Sequence, residues 1–112
     1  MLEETLMSAS KPKTQLDIIK SFLSGEKEGR SSAGGNLYIK GDRLIHYQTT
    51  IAERYGEKII LNYTRYSLVT GKIQKAIKEM VPEEKLISIG RITINYDKSL
   101  VDKVKESGVE TQ

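Results

Sequence analysis

The stretch that most constrains the fold runs from residue 59 to residue 81, where a strand-like segment leads through polar residues into an amphipathic helix. Residues 59–61 are all apolar, and such an unbroken run is typical of a central strand covered on both faces. Farther along, apolar residues recur at helical spacing with lysines opposite them, and the apolar ones are Ile73, Ala76, Ile77, Met80 and Val81. We therefore expect a main helix over residues 71–81, with Thr70 as its N-cap and Pro82 as its stop.

Two hairpins are predicted upstream of this stretch. The Gly-Asp pair at 41–42 and the Gly-Glu pair at 56–57 each lie between strand-like runs, and glycine there favours tight hairpin turns. The pattern leaves open how long the second loop is, and hence on which face of the sheet the Arg54 side chain lies.

Downstream of the main helix, the apolar alternation slips at 90–91, which predicts a long strand with a bulge or bend. The predicted strands are residues 37–40, 43–47, 50–55, 58–63 and 86–96.

Short helices are expected to flank these elements. Thr14, followed by an acid three residues later, predicts the start of a first helix that Gly25 ends. Either Asp97 or Ser99 is expected to cap a last short helix ending at Gly108. The resulting order predicts an α+β fold, a small and mostly antiparallel sheet of about five strands with the main amphipathic helix on one face.

At 112 residues the chain has room for one modest core, and we expect a single domain over residues 14–108. Residues 1–13 are predicted to be disordered, and 109–112 to be a tail. The Gly- and Ser-rich residues 26–36 predict a flexible connector, or alternatively a loop whose backbone N–H groups and Arg30 approach an anion.

Composition excludes several classes of protein. The chain has no cysteine, so disulfides and thiolate metal sites are excluded. It has neither a signal-peptide pattern nor an apolar run near the ~20 residues that cross a bilayer, so we expect a cytoplasmic protein with no membrane partner. The abundance of Lys, Glu and Ile is typical of proteins from thermophiles, so we expect a thermophilic source.

Polar side chains between the predicted strand and the main helix form the first candidate site. Asn62, Ser67 and Thr70 offer neutral donors and acceptors for a phosphate, an amide or a base edge beside the helix N-terminus. The alternative interpretation is that these side chains cap the strand-to-helix turn.

A basic surface beside them is the second candidate site. The candidate nucleic-acid-binding residues are Arg65, Tyr66, Lys72, Lys75 and Lys78. With a net charge of only +3, binding through them is expected to be weak, salt-sensitive and indifferent to sequence. A solvated helix face is the alternative, and Glu79, which interrupts the lysines, favours it.

Six tyrosines and one histidine complete the candidates. The tyrosines suit a stacking platform for single-stranded nucleic acid, a protein or homodimer interface, or a wet sheet edge, and the pattern leaves these open. His46 is expected to be an ordinary strand residue, because a lone histidine forms no metal cluster. The acids show no paired catalytic motif, so we predict no enzyme activity, no metal and no cofactor.

Residues 35–53 (GNLYIKGDRLIHYQTTIAE) and 61–70 (LNYTRYSLVT) resemble a family of small uncharacterised proteins carried by phages, archaeal viruses and plasmids. The shared pattern is Asn-Leu, Gly-Asp-x-Leu, Thr-x-Ile-Ala and Asn-x-x-x-Tyr-Ser-x-x-Thr. Members often carry a histidine at the helix start, where this chain has Ile73. The resemblance implies a viral or mobile-element origin, and hence the host cytoplasm, but no activity. The matching positions are Asn36, Leu37, Gly41, Asp42, Leu44, Tyr47, Thr50, Ile51, Ala52, Asn62, Tyr66, Ser67 and Thr70.

These observations predict a non-enzymatic binding module, most concretely one that binds nucleic acid through the basic helix face. The alternative is a protein-interaction module that blocks a host defence factor. Capture of a small nucleotide by the polar side chains is a further possibility. We also expect a homodimer, because small sheets with exposed edges often complete themselves by pairing.

Overall fold

The computed structural model describes residues 14–31 and 36–107, and the predicted N-terminal disorder and C-terminal tail lie outside these ranges. Within them a six-stranded sheet packs with three α-helices, which confirms the predicted α+β class with one strand more than expected. The helices are α1 Gln15–Leu23, α2 Leu68–Met80 and α3 Val101–Ser107. The strands are β1 Glu28–Arg30, β2 Leu37–Lys40, β3 Arg43–His46, β4 Thr49–Tyr55, β5 Lys58–Asn62 and β6 Leu86–Ile89.

The strands lie in the sheet in their order along the chain. β1 to β5 pair antiparallel in succession, whereas β6 lies parallel to β5, with α2 and the 3₁₀ turn Glu83–Lys85 connecting the two. Both predicted hairpins are confirmed with two-residue loops, since Lys40 pairs with Arg43 and Tyr55 with Lys58.

Two apolar clusters cover the two faces of the sheet. Leu61 belongs to the cluster beneath α1 and α2, which surrounds the fully buried Phe22. Its neighbour Ile60 belongs to the cluster beneath α3, together with Ile92 and Leu100. Because successive strand residues face opposite sides, this division confirms the prediction that β5 is covered on both faces.

The first helix begins and ends as predicted. Thr14 Oγ1 accepts the Asp17 N–H (3.1 Å), and the Asp17 carboxylate accepts the Thr14 N–H (3.0 Å), which is the reciprocal capping box. At the other end, Gly25 has φ +104°, a conformation that glycine adopts without steric cost.

The start of α2 was predicted wrongly. Ser67, not Thr70, is the N-cap, because its Oγ accepts the Thr70 N–H (3.2 Å) and its backbone is extended. The helix therefore begins at Leu68, three residues before the predicted start, and Thr70 lies buried in its first turn. Leu68 is 87% exposed, so the first turn does not follow the apolar pattern that marks the rest of the helix.

The last predicted strand is also shorter than expected. β6 ends at Ile89, and the chain then leaves the sheet through two residues with left-handed backbone, Arg91 (φ 60°) and Asn95 (φ 66°). Beyond it, the Thr50 N–H donates to the Tyr96 carbonyl (2.7 Å). The segment from Gly90 to α3 thus folds back across the sheet instead of extending it.

Part of the expected connector at 26–36 is an edge strand. Gly29 in β1 pairs with Ile39 in β2, and a Cβ on Gly29 would lie 3.3 Å from Ile39 Cδ1. This glycine therefore permits close packing rather than loop flexibility. Residues 32–35 of the segment lie outside the described residues, and no helix within the described ranges is long and apolar enough to cross a membrane.

Candidate ligand-binding site

Asn62, at the end of β5, is held within the fold by hydrogen bonds of its side chain and its backbone carbonyl. It is fully buried, and its Nδ2 donates to the Thr50 carbonyl (3.1 Å) and to Tyr66 Oη (3.0 Å). Its Oδ1 accepts the Thr64 N–H (3.0 Å), and Gln74 Nε2 donates to its backbone carbonyl (2.7 Å). The amide is thus occupied on both ends, so the proposed ligand role of this residue is not supported by its position.

Tyr66 joins the strand-to-helix segment to the chain beyond β6. Its Oη donates to the Ile92 carbonyl (2.7 Å) and accepts from Asn62, while its half-buried ring packs against the core beneath α2. The Thr64 hydroxyl adds a parallel link by accepting the Ile92 N–H (3.0 Å). Tyr66 is therefore a wall of the site and not an exposed stacking surface.

Ser67 and Thr70 lie in a short chain of hydrogen bonds that ends at the single histidine. Ser67 Oγ donates to Thr70 Oγ1 (3.1 Å), and Thr70 Oγ1 lies 2.9 Å from His46 Nδ1. His46 is only 3% exposed, and burial lowers the pKa of its imidazole below the ordinary value, so the ring is neutral at pH 7. The expected satisfied strand histidine is therefore confirmed for one of its two nitrogens.

The chain borders a cavity of about 360 Å³. Its rim includes two exposed apolar side chains, Tyr47 (61% exposed) and Ile94 (67%), and the Tyr47 ring meets His46 edge to face with centroids 4.7 Å apart. The cavity is lined by His46, Tyr47, Thr49, Ile51, Tyr66, Ser67, Thr70, Ile94 and Asn95.

Two rim residues hold unusual backbone conformations. Tyr47 has φ 58° and Asn95 has φ 66°, a left-handed region that costs an L-residue such as tyrosine roughly 1–2 kcal/mol. Each is fixed by a hydrogen bond: the Tyr47 N–H donates to the Asn36 carbonyl (2.7 Å), and the Asn95 N–H donates to Thr49 Oγ1 (2.7 Å).

A shallow groove of about 640 Å³ lies on the other side of Tyr66 and Ser67, which line both depressions. Arg65, Lys72 and Lys75 border this groove, and none of them forms an ion pair with another described residue. With Tyr66, four of the five predicted nucleic-acid-binding residues therefore border one open surface. Lys78 is exposed but does not border the groove.

Tyr63 is the aromatic side chain that the groove presents to solvent. It is 58% exposed, and its ring rests against Gly90, where an added Cβ would lie 3.2 Å from Tyr63 Cζ. The absence of a side chain at residue 90 therefore leaves room for the ring, which borders the groove near Arg65.

Two hydroxyl groups and one imidazole meet at the edge of the cavity, and the Thr70 hydroxyl is the one in direct contact with the imidazole. Thr70 stands between Ser67 and His46, so the serine hydroxyl has no direct contact with the imidazole. Among the residues that the structure describes, no group of three His, Asp or Glu side chains could hold a metal ion.

Several site residues were not singled out from the sequence as site candidates. His46, Thr49, Ile94 and Asn95 reach the cavity from β3, β4 and the segment after β6, and no local pattern marks such convergence. Tyr47 was one of the six tyrosines considered for a stacking platform, an interface or a wet sheet edge, and it is also a position of the resemblance. His46 was considered and expected to be an ordinary strand residue. The one usable signal was the slip in alternation at 90–91, which marked where the chain leaves the sheet.

No protein-family model, curated protein or solved structure matches this chain. The resemblance to proteins of phages, archaeal viruses and plasmids therefore stays a prediction, and the function has to be argued from the groove and the cavity.

Proposed function

We propose that this protein is a non-enzymatic module that binds single-stranded nucleic acid in the groove beside α2. The observation that carries the proposal is the meeting of Arg65, Lys72 and Lys75, three cations with no ion-pair partner among the described residues, with the exposed ring of Tyr63 on one concave surface. Cations that neutralise phosphates and aromatic rings that stack on bases are the two elements of single-strand binding.

A single strand suits this surface better than a duplex does. Stacking on Tyr63 requires a base whose face is free, and the bases of a duplex are already stacked on their neighbours. The proposal supposes about three phosphate contacts, and each contributes about 0.7 to the slope of log affinity against log salt for a single strand. We therefore expect a slope of about −2 and modest affinity.

Fluorescence anisotropy with a labelled single-stranded oligonucleotide, and with its duplex, tests the proposal between about 50 and 200 mM salt. Replacing both Lys72 and Lys75 with alanine should reduce the magnitude of the slope by about 1.4, two phosphate contacts at 0.7 each. Lys40→Ala is the matched control, because this exposed lysine lies at the opposite end of the sheet, beside the 41–42 turn. Tyr63→Ala should weaken binding about 5- to 150-fold at every salt concentration without changing the slope.

Two results would contradict the proposal. One is affinity for the single strand that does not depend on salt. The other is an equal loss of affinity in the Lys40 variant and in the double lysine variant, because only the double variant changes the groove.

A protein-binding module is the second candidate, favoured by the apolar side chains around the first turn of α2. Leu68 is 87% exposed and Val69 is 49% exposed, an unusual pair of side chains to leave in water at a helix start. The partner would be a host protein or a second copy of this chain. Analytical ultracentrifugation of the nuclease-treated protein, compared with the same measurement on the Leu68→Ser variant, tests self-association. A monomer at high concentration would remove the homodimer version of this candidate.

A further inference from the structure

The cavity beside the groove is bordered by one polar atom that no described residue pairs. His46 lines the cavity, and its Nε2 has no hydrogen-bond partner among the described residues, while Nδ1 is held by Thr70. A ring that is almost completely buried, with one nitrogen paired and the other open to a cavity, is suited to hold a ligand in a fixed orientation.

The hydrogen-bond chain favours one tautomer of His46, and the tautomer decides which kind of group Nε2 can meet. Ser67 Oγ–H donates to Thr70 Oγ1, and in the His46 tautomer that continues this chain in the same direction the Thr70 hydroxyl donates to His46 Nδ1. A neutral imidazole whose Nδ1 accepts carries its proton on Nε2. In that tautomer the cavity presents an N–H donor, and its complement is a ligand with a carbonyl oxygen or an aromatic ring nitrogen.

The size and lining of the cavity narrow the ligand further. A volume of 360 Å³ is near the lower end of the range of about 300–1,000 Å³ for small-molecule sites, which favours a ligand no larger than a nucleoside. The ring edges of Tyr47 and Tyr66 and the aliphatic side chains of Ile51 and Ile94 provide an apolar surface around the His46 donor. A flat heterocycle with acceptors on its edge matches this combination.

We propose that the cavity receives one unstacked nucleobase, whose edge accepts a hydrogen bond from His46 Nε2, while the attached phosphates lie in the basic groove. Tyr66 and Ser67 border both the cavity and the groove, so a nucleotide can pass from one to the other across a single wall. The inference rests on the proposed function for the source of the base, a strand bound in the groove, but the base site itself can be measured without phosphates.

His46 is the only histidine in the chain, so its ring gives one unambiguous set of NMR signals. Two-bond nitrogen–proton spectra of the full chain should show Nε2 protonated and Nδ1 unprotonated at pH 7. Titration with each of the four nucleosides, which carry no phosphate, should move the Nε2 signal in a saturable manner for at least one of them. A ring with its proton on Nδ1, or an Nε2 signal that none of the nucleosides moves, would overturn the inference.

A pair of exposed rim variants provides the structural control. Ile94→Glu places a carboxylate at the cavity mouth and should lower nucleoside affinity at least tenfold. Val69→Glu adds the same charge at an exposed apolar position that borders neither the cavity nor the groove, and it should leave nucleoside affinity unchanged. Equal affinity in the two variants would overturn the assignment of the base to this cavity.

The failure of this inference and the failure of the proposed function give different results. If oligonucleotides bind with the expected salt dependence while no nucleoside affects His46, the groove binds a strand and the base site is wrong. If nucleosides move the His46 signal while oligonucleotides do not bind, the cavity assignment holds for free nucleosides and the strand-binding function is wrong.

Discussion

Replacing Asn62 with alanine should destabilise the fold strongly, because this fully buried amide links three parts of the chain. The change orphans the Thr50 carbonyl and the Thr64 N–H, whereas Tyr66 Oη keeps its bond to the Ile92 carbonyl. An unsatisfied buried polar group costs about 1–3 kcal/mol, and Thr64 is only half-buried, so we expect a loss of about 2–4 kcal/mol. That is a large part of the roughly 5–15 kcal/mol that stabilises a typical domain.

Urea unfolding followed by circular dichroism measures this loss, provided that the denaturant slope is the same in each variant. Tyr66→Phe and the double variant complete a cycle, and the 3.0 Å bond from Asn62 Nδ2 to Tyr66 Oη should appear as a coupling of about 1 kcal/mol. Glu57→Ala, in an exposed turn, serves as a control that should change stability by less than about 0.5 kcal/mol. If Asn62→Ala keeps full stability but loses ligand binding, Asn62 is a ligand contact and our structural argument fails.

Three further changes test other parts of the structure. Glu53→Ala removes the buried carboxylate that accepts the Ser99 hydroxyl and the Leu100 N–H ahead of α3, and urea unfolding should show a loss of about 2–3 kcal/mol. Tyr47→Asn substitutes a residue that tolerates φ 58°, so unfolding free energy should rise by about 0.5–1 kcal/mol, and a fall would argue against backbone strain there. Because the pKa of His46 is lowered by burial, the unfolded chain binds the proton first as pH falls below 6.5. His46 therefore contributes stability that is present above pH 6.5 and is lost as the pH falls towards the folded-state pKa. The difference in unfolding free energy between the protein and His46→Gln should shrink over that range. A difference that stays constant would contradict this expectation.

The parts of the fold that were predicted correctly are those with local chemical signals. Gly41 and Gly56 occupy left-handed conformations, φ +66° and +61°, that hairpin turns require, so both hairpins could be located. The length of the second loop was left open by the sequence, and the structure gives it two residues. Thr14 and Asp17 formed their capping box as expected because both partners lie within one helical turn.

Errors arose where two local signals competed or where none existed. Ser67 and Thr70 are both hydroxyl residues three positions apart, and the exposed Leu68 and Val69 concealed the true first turn of α2. β1 has the sequence Glu-Gly-Arg, which contains no side chain that favours strands. It is a strand because the fold places it beside the free edge of β2, where its backbone pairs.

Half of the candidate site could be predicted and half could not. Lys72 and Lys75 lie three residues apart on α2, so helical spacing brings them to one surface, and Arg65 lies just ahead of the helix. His46 and Thr70 are 24 residues apart, and Thr49 and Asn95 are 46 apart, so their meeting in the cavity depends on the complete sheet and on the turn after β6.

The parallel pairing of β5 with β6 has a consequence for the order of folding. The hairpins of β2 to β5 close loops of two residues, whereas β6 can pair with β5 only after the chain has crossed over through α2. Because closing the longer connection costs more chain entropy, β6 is expected to pair after the hairpins have formed. The cavity wall at Ile94 and Asn95 follows β6, whereas the residues that line the groove all lie within 63–75. Hydrogen exchange should therefore find a partly open form in which the groove persists after the cavity has been lost, so the two halves of the site need not form, or fail, together.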